Sequence, residues 1–575
     1  MVSTKKWALA SAVAAAIALP ATALATTAGY FQLGYSTISD GMGGATAALP
    51  QDSMIQAINP AGIAFVGNRL DLGVAGFWPQ RGYRVTGMPA SGAADPASLP
   101  NGFPDNDQSP TANADGDMYL AQGSYGSSSN FFLIPHIGYT QRLSHDNYVG
   151  LAMYGNGGMS TNYHVPVGSP TTGPGGPYYG GQTGVNLQQL FIQATYARKF
   201  MRHDSVGLSL IVARQTFSAD GLQGFASYSD NPGSLSGRGS ATSDGVGFKV
   251  GGQFQIIPGI DVGVAYSPRM TMSKFNAYSG LFAGGGRFDI PANGVIGLAF
   301  KPMAGQVLAF DFQRIYYNDV PAIANAGPSS PDLGDCNSSG ACNFKDSDAL
   351  GAPGGWGFGW QNVSVYKLGY QFAVSRMVTL RAGFAYNTQP VRSSQVLFNI
   401  LAPGVIQRHV TAGVTVRTAR HQDVSVAAMY GLPQSVSGPN PMATDPGYPQ
   451  TIKINLHEYQ VEANWGFHFS WPLTRKVPLA HGWGDRLCCR AAAKTHYANH
   501  EVTFSDDPDA AHVFRWINTL AHAKAMIDGT FHVRARRQLY LAEFAYRCNR
   551  RHVGTRIAGQ LLMVCLTTAP HPYGT

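Results

Sequence analysis

Charge is scarce in this chain: only 13% of its 575 residues are Asp, Glu, Lys or Arg. That is too little for a polar chain kept disordered by self-repulsion and poor burial. Long apolar runs are also missing. Beyond the first 25 residues no uninterrupted hydrophobic stretch approaches the roughly 20 residues of a spanning helix. A mean hydropathy of −0.08 is likewise too polar for a polytopic helical membrane protein. Cysteine is rare, with six in all, four of them after residue 475. Glycine, by contrast, is abundant, with 69 alongside 35 Pro. A helical bundle could not absorb it, since each interior Gly costs about 0.5–1 kcal/mol relative to Ala. Strands, turns and loops must dominate, and if a membrane is crossed, a closed barrel is the remaining way to cross it.

The net charge of +8 is unevenly placed. Residues 475–575 hold 14 Lys+Arg against 7 Asp+Glu, which leaves 26 against 25 for everything before them. The same stretch has 8 of the 16 His and only 6 of the 69 Gly, the composition of a different protein. This predicts a boundary near Ser470 to Trp483, with 470–489 as the junction and 490–575 as a separate tail.

Met1 to Ala25 carries Lys5 and Lys6, then the small apolar run Trp7 to Leu19, then Ala23-Leu24-Ala25. That order is a secretory signal, 1–25, with cleavage expected after Ala25. In an oxidising compartment, Cys336 and Cys342 in a loop-like stretch are either a disulfide closing a small loop or two unpaired thiols.

Alternation with period 2 recurs through residues 68–469. In one strand Tyr459, Val461, Ala463, Trp465, Phe467 and Phe469 share a face, and Gln460, Glu462, Asn464, Gly466 and His468 share the other. The first face suits lipid and the second a polar lumen. Leu308, Phe310 and Phe312 alternate in the same way with Ala309, Asp311 and Gln313. The full reading has strands near 68–85, 129–143, 147–159, 184–200, 205–218, 245–257, 260–274, 286–301, 306–318, 361–375, 377–390, 404–418, 422–433 and 455–469. Fourteen is an even number, as single-chain bacterial barrels require. Short and long connections alternate, so with the first strand running outward every short one falls on the periplasmic side. A soluble sandwich has no reason to sort its loops this way. Trp78, Tyr316, Tyr317, Trp360, Tyr430 and Trp465 are then expected as interfacial girdle aromatics.

Residues 26–67 lack the period. They contain Gly41-Met42-Gly43-Gly44-Ala45-Thr46-Ala47-Ala48, then Asp52-Ser53, then Asn59-Pro60-Ala61-Gly62. Small residues pack closely, Asp52 can cap the turn after it, and Asn59-Pro60 ends that turn. Such a segment fits inside a barrel as a hatch, or plug. These runs resemble the hatch of the FadL/TodX family of outer-membrane transporters for long-chain fatty acids and aromatic hydrocarbons. The resemblance continues in Phe288-Asp289-Ile290-Pro291-Ala292-Asn293-Gly294-Val295, in Phe310-Asp311-Phe312-Gln313-Arg314-Ile315 and in Leu380-Arg381-Ala382-Gly383-Phe384-Ala385-Tyr386-Asn387, and covers about 29–469.

The resemblance implies a monomeric fourteen-stranded outer-membrane β-barrel plugged by an N-terminal hatch. It also implies facilitated uptake of an apolar ligand, fatty acid or hydrocarbon, with sideways release at a kink in the third strand. Asn59, Pro60, Ala61 and Gly62 match the hatch motif and are assigned to hatch packing or gating. Gly155, Gly157 and Gly158 stand where the kink belongs, since glycine permits a bend or bulge. Arg381 is expected to point inward. It would meet either a ligand carboxylate or, by preference, Glu458 or Glu462. Outer-membrane lipid, lipopolysaccharide and the barrel assembly machinery are the expected partners, the last through the aromatic ending Asn464 to Phe469. No nucleophile or acid/base constellation stands out, so no enzyme activity, metal or cofactor is expected, and no nucleic acid for the barrel. The alternatives are a general diffusion porin, or a structural or adhesin barrel without a dedicated apolar ligand.

The tail, around Tyr540-Leu541-Ala542-Glu543-Phe544-Ala545-Tyr546-Arg547-Cys548-Asn549-Arg550-Arg551, resembles the C-terminal end of insertion-sequence transposases of the DDE superfamily over about 490–566. It is expected to be helical, foreign to the barrel and delivered to the periplasm. No catalytic residue carries over, because the upstream aspartates of that chemistry have no counterpart region.

Overall fold

The computed structural model describes residues 28–87, 118–164, 176–178, 180–329, 346–419, 421–443 and 449–469, with the dipeptide strands Leu479–Ala480 and Val502–Thr503. The chain divides into two compact units, Met1–Ser470 and Trp471–Thr575. Of the second, only the two dipeptide strands are described, and they pair in parallel. The signal segment 1–25, Cys336 and Cys342, and the tail's expected helices lie outside the described residues.

The first unit is a closed antiparallel barrel of fourteen staves. They are β1 (Arg69–Thr86), β2 (in two pieces, Gly123–Gly126 and Phe132–Arg142), β3 (Asn147–Tyr163), β4 (Thr183–Lys199), β5 (Ser205–Asp220), β6 (Ala241–Ile257) and β7 (Ile260–Ser267). Then follow β8 (Asn293–Phe300), β9 (Gln306–Ile315), β10 (Val363–Ala373), β11 (Val378–Asn387), β12 (Arg408–Ala419), β13 (Gln422–Pro439) and β14 (Thr451–His468). Each stave pairs with its successor, and β14 returns to β1 from Arg69↔His468 to Thr86↔Thr451. The sheet therefore has no free edge, and every ladder can be satisfied within the chain. The six short connections, from the four residues 143–146 to the pair 420–421, all leave even-numbered staves and so share one end of the barrel.

Alternation explains the wall. Along β14 Tyr459, Val461 and Trp465 are exposed, while Glu458, Gln460, Glu462 and Asn464 are buried. The outward face carries aromatics at two levels. Tyr459 stacks on Tyr430 at 4.9 Å and Trp78 meets Phe131 at a tilt, 5.1 Å away, and near the short-turn end Tyr139 stacks on Phe469 at 5.6 Å. From Tyr459 to Phe469 is ten residues, roughly 25 Å of height for strands tilted about 40°, the apolar thickness of an outer membrane. Among the described residues no helix is long and apolar enough to cross a membrane.

Three expectations change. Tyr317 and Trp360 are not girdle residues: both are buried inside and pack edge-to-face at 5.2 Å. β2 is interrupted between Gly126 and Phe132. β7 and β8 are shorter than the alternation suggested, because residues 268–292 leave the wall and fold inward, turning at Gly284, Gly285 and Gly286 (φ +73°, +73° and +92°). Phe288 and Ile290 are thereby buried, and their apolar pattern continues past the stave because the inner segment is buried too.

Candidate functional site

The lumen is filled from the N-terminal side. Helix α1 (Thr37–Gly41) starts at Ser36, whose Oγ accepts from Ser39 N at 3.2 Å. The 3₁₀ turn Ser53–Ala57 starts at Asp52, which accepts from Met54 N at 3.0 Å. The turn Pro60–Gly62 starts at Asn59, whose Oδ1 accepts from Ala61 N at 3.1 Å. These caps satisfy amides that short helices cannot satisfy internally. Asn59 also donates to Ala47 O at 2.9 Å and to the wall at Gly252 O at 3.0 Å, and is fully buried. Ala61 O accepts from Ser205 Oγ at 2.9 Å. The Asn59-Pro60-Ala61-Gly62 motif is thus a fastening of the hatch to β5 and β6.

The wall makes room for it. A Cβ on Gly207, Gly251, Gly263, Gly297, Gly369 or Gly383 would lie closer than 3.0 Å to hatch atoms, among them Ala61 N, Asn59 Oδ1, Ala47 O and Gly43 N. These strand-interior glycines admit the hatch backbone against the sheet. Sequence reasoning placed glycines in turns, loops, hatch and kink and missed this ring. Its only signal is that each stands on an inward-facing position of its stave.

Charged wall residues hold the hatch as well. Asp311 accepts from Thr46 N at 3.0 Å and Ala47 N at 2.8 Å, and Lys367 donates to Leu33 O at 2.7 Å. Lys249 donates to Ala57 O. Asp71 accepts from Ser53 N at 2.9 Å and Ser53 Oγ at 2.6 Å, from Arg69 Nε at 2.8 Å and from Asn464 Nδ2 at 3.1 Å. Arg69 reaches on to Asp423 at 2.9 Å, which also meets His468 at 2.7 Å. Burial pushes the Asp52 carboxyl up to about 6; neighbouring Asp71 adds to the rise and Arg69 opposes it. Burial raises Asp40 too. Arg381 is inward as expected, but it takes neither Glu458 nor Glu462. It donates to Gln371 at 2.9 Å, Thr415 at 2.6 Å and hatch Gln51 at 2.9 Å. Those two acids face histidines instead, Glu462 with His136 at 3.2 Å and Glu458 with His409 at 3.3 Å. Arg381 is therefore a hatch anchor by geometry and does not line the pocket described next.

Toward the long-loop end, Val185, Phe217, Leu222, Phe225, Leu235, Leu281, Phe282, Ala322, Leu350, Trp356, Gly357, Phe358, Phe398 and Leu401 enclose an apolar pocket. None of the described residues that line it is charged. About 40 Å³ is free to a water-sized sphere, whereas an engineered cavity that takes benzene is roughly 150 Å³. The rings of Phe225 and Phe398 meet across the pocket, 5.1 Å apart and perpendicular. A molecule the size of benzene would fit only if side chains moved.

From the pocket a chain of rings leads to the wall: Phe217 to Phe282 (4.7 Å), Phe282 to Phe288 (5.0 Å), Phe288 to Tyr30 (6.2 Å). Tyr30 is locked by Tyr317, whose hydroxyl accepts from Tyr30 N at 3.1 Å and donates to Ala28 O at 2.6 Å. Its carbonyl then accepts from Gly158 N at 3.3 Å on β3. There Gly155, Gly157 and Gly158 come together around a bulge: the β3–β4 register shifts between Gly155 and Gly157, with Gly157 at φ +152°. Asn156, the extra residue, is buried and bonds Tyr35 and Gln189 at 3.0 and 2.8 Å. On the other side the β2–β3 ladder stops at His136↔Tyr154, while Phe132–Pro135 of β2 stay paired with β1. Contact between the two staves resumes where Ser128 N donates to Asn162 O at 2.8 Å and Asn162 N to Ser127 Oγ at 2.9 Å, with Ser129 Oγ against Ser160 Oγ at 2.7 Å. The wall ladder is broken where the hatch begins.

No protein-family model matches the sequence, and no curated protein matches it. Among solved structures, a FadL homologue of Pseudomonas aeruginosa is similar at a TM-score of 0.53, with 14% identity over 77% of this chain and 100% of that one. A TodX deletion mutant, a monoaromatic hydrocarbon channel, is similar at 0.51, with 15% identity over 76% and 99%. The toluene transporter TodX of P. putida scores 0.49, with 16% identity over 76% and 99%. At these identities the first two likenesses, above 0.5, establish the fold alone.

Proposed function

We propose that this barrel, set in an outer membrane with its long loops outward, takes up uncharged apolar molecules, hydrocarbons ahead of fatty acids. The ligand enters the pocket, passes along the rings and leaves sideways between β2 and β3 into the bilayer. One observation carries the reading: the aromatic path ends at the broken ladder, while the axial route is filled by a hatch fastened on every side. An apolar ligand gains nothing by entering water below the hatch, so lateral exit avoids rehydrating it. The preference for hydrocarbons follows from the pocket's chemistry. A carboxylate buried there would lack a partner and cost several kcal/mol; the inward cations Lys249, Lys367 and Arg381 already serve the hatch, and Arg81 donates to Ser129 O and Ser160 O of the wall. A general diffusion porin would need an open lumen.

The test is uptake of radiolabelled toluene and oleate by a Gram-negative host without hydrocarbon channels of its own, expressing the full chain. Toluene uptake above the empty-vector rate, with oleate at that rate, is expected. No gain in either, or a large steady ion conductance of the purified barrel in planar bilayers, would remove the assignment. Expression of residues 1–469 alone shows whether the tail is needed.

A further inference from the structure

On the outward face, six residues above the Trp78↔Tyr459 pair toward the long loops, Arg84 of β1 stands directly opposite Lys453 of β14. Both are exposed. Like charges opposite one another across a ladder destabilise it, and none of the fourteen described residues lining the shallow hollow of about 620 Å³ around the pair carries a carboxylate. The hollow offers donors instead. Arg84 Nε is fixed by Ser124 Oγ at 2.8 Å, and Asn455, Gln434 and His457 line the same depression. His457 stands edge-on to Tyr459 at 5.8 Å, linking the hollow to the aromatic level beneath. Six residues of tilted strand are roughly 15 Å of height, which sets the cations above the apolar band, where the headgroups of the outer leaflet lie. We propose that this hollow seats the phosphate-bearing sugar headgroup of an outer-leaflet glycolipid, with one phosphate between Arg84 and Lys453. The proposal rests on the membrane orientation given above. A phosphate there accepts charge-assisted hydrogen bonds from both cations and cancels their repulsion.

The test uses the full chain in detergent micelles, titrated with diphosphoryl lipid A, enzymatically dephosphorylated lipid A and inorganic phosphate, and read by native mass spectrometry and thermal shift. Diphosphoryl lipid A should bind, and R84Q/K453Q should weaken it by roughly tenfold to thirtyfold. The control R376Q/R417Q, removing exposed cations near the short-turn end, should bind as the parent does. Parent-like affinity of R84Q/K453Q, equal affinity for dephosphorylated lipid A, or inorganic phosphate competing as well as the lipid overturns the proposal. Toluene binding measured on the same samples separates the two readings. Its loss in the parent removes the transport assignment and leaves the lipid result standing, whereas its retention in R84Q/K453Q alongside lost lipid A binding is the expected pattern.

Discussion

Replacing Asn59 tests whether the hatch is held by directed hydrogen bonds or by bulk. Its amide donates to Ala47 O and Gly252 O, and its oxygen caps Ala61 N, all in full burial. Asn59→Ala removes two donors from buried carbonyls, about 1 kcal/mol each, and a cap worth about 1 kcal/mol. The total of about 3 kcal/mol corresponds to roughly a hundredfold increase in the fraction of time that this corner is unseated. Asn59→Asp keeps the size and the cap but turns the amide into an oxygen facing two carbonyl oxygens. It should be at least as damaging. Single-channel recording of the full-length protein in planar bilayers reads the openings, and hydrogen exchange of residues 52–64 reads the local unseating. Both variants should open about a hundred times as often as the parent, with matching loss of amide protection. An Asn59→Asp protein indistinguishable from the parent in both measurements would refute the reasoning.

Gly157→Val should cut toluene uptake at least tenfold while the barrel still shows heat-modifiable gel migration, because the side chain meets Tyr30 O at a φ of +152°; unchanged uptake counts against the exit at this bulge. Leu222→Glu buries a charge in the pocket and should weaken toluene binding at least a hundredfold by calorimetry, whereas Arg381→Gln, outside the pocket lining, should leave it within about twofold. The hatch should tighten in acid. The Asp52 carboxyl sits near 6 in the folded chain against 3.8 unfolded, so its stabilising contribution is complete below about pH 4 and is lost as pH rises through 6. The difference is roughly 2–3 kcal/mol. Hatch amides corrected for intrinsic exchange should lose protection between pH 4.5 and 7, and Asp52→Asn should flatten the profile; a parent profile already flat would sink the account.

The staves were legible because lipid and lumen make opposite demands on successive residues, so Tyr459 to Phe469 declares its two faces without help from neighbours. The hatch was legible through small residues and cap signals, Asp52 and Asn59 above all. The upper piece of β2, Gly123–Gly126, was not, because the polar run Ser127 to Asn130 separates it from Phe132 and reads as loop. Nor was the pocket, whose walls come from segments as distant as Val185 and Leu401, joined only when loops fold inward. Tyr317 and Trp360 read as girdle residues since an aromatic at a stave end looks the same whether it turns to the bilayer or to Tyr30. The partner of Arg381 was hidden for a related reason. Gln51 is 330 positions away and uncharged, and charge is what a sequence reading looks for.

The carboxylate of Asp71 receives Ser53 of the hatch, Arg69 of the first stave and Asn464 of the last. Three segments made at different times in synthesis therefore meet on two oxygen atoms. A cylinder closed without the hatch would leave that carboxylate without its two Ser53 donors, which water would have to replace. Seam and hatch therefore share one carboxylate, and loosening either strips donors from the group that holds the other.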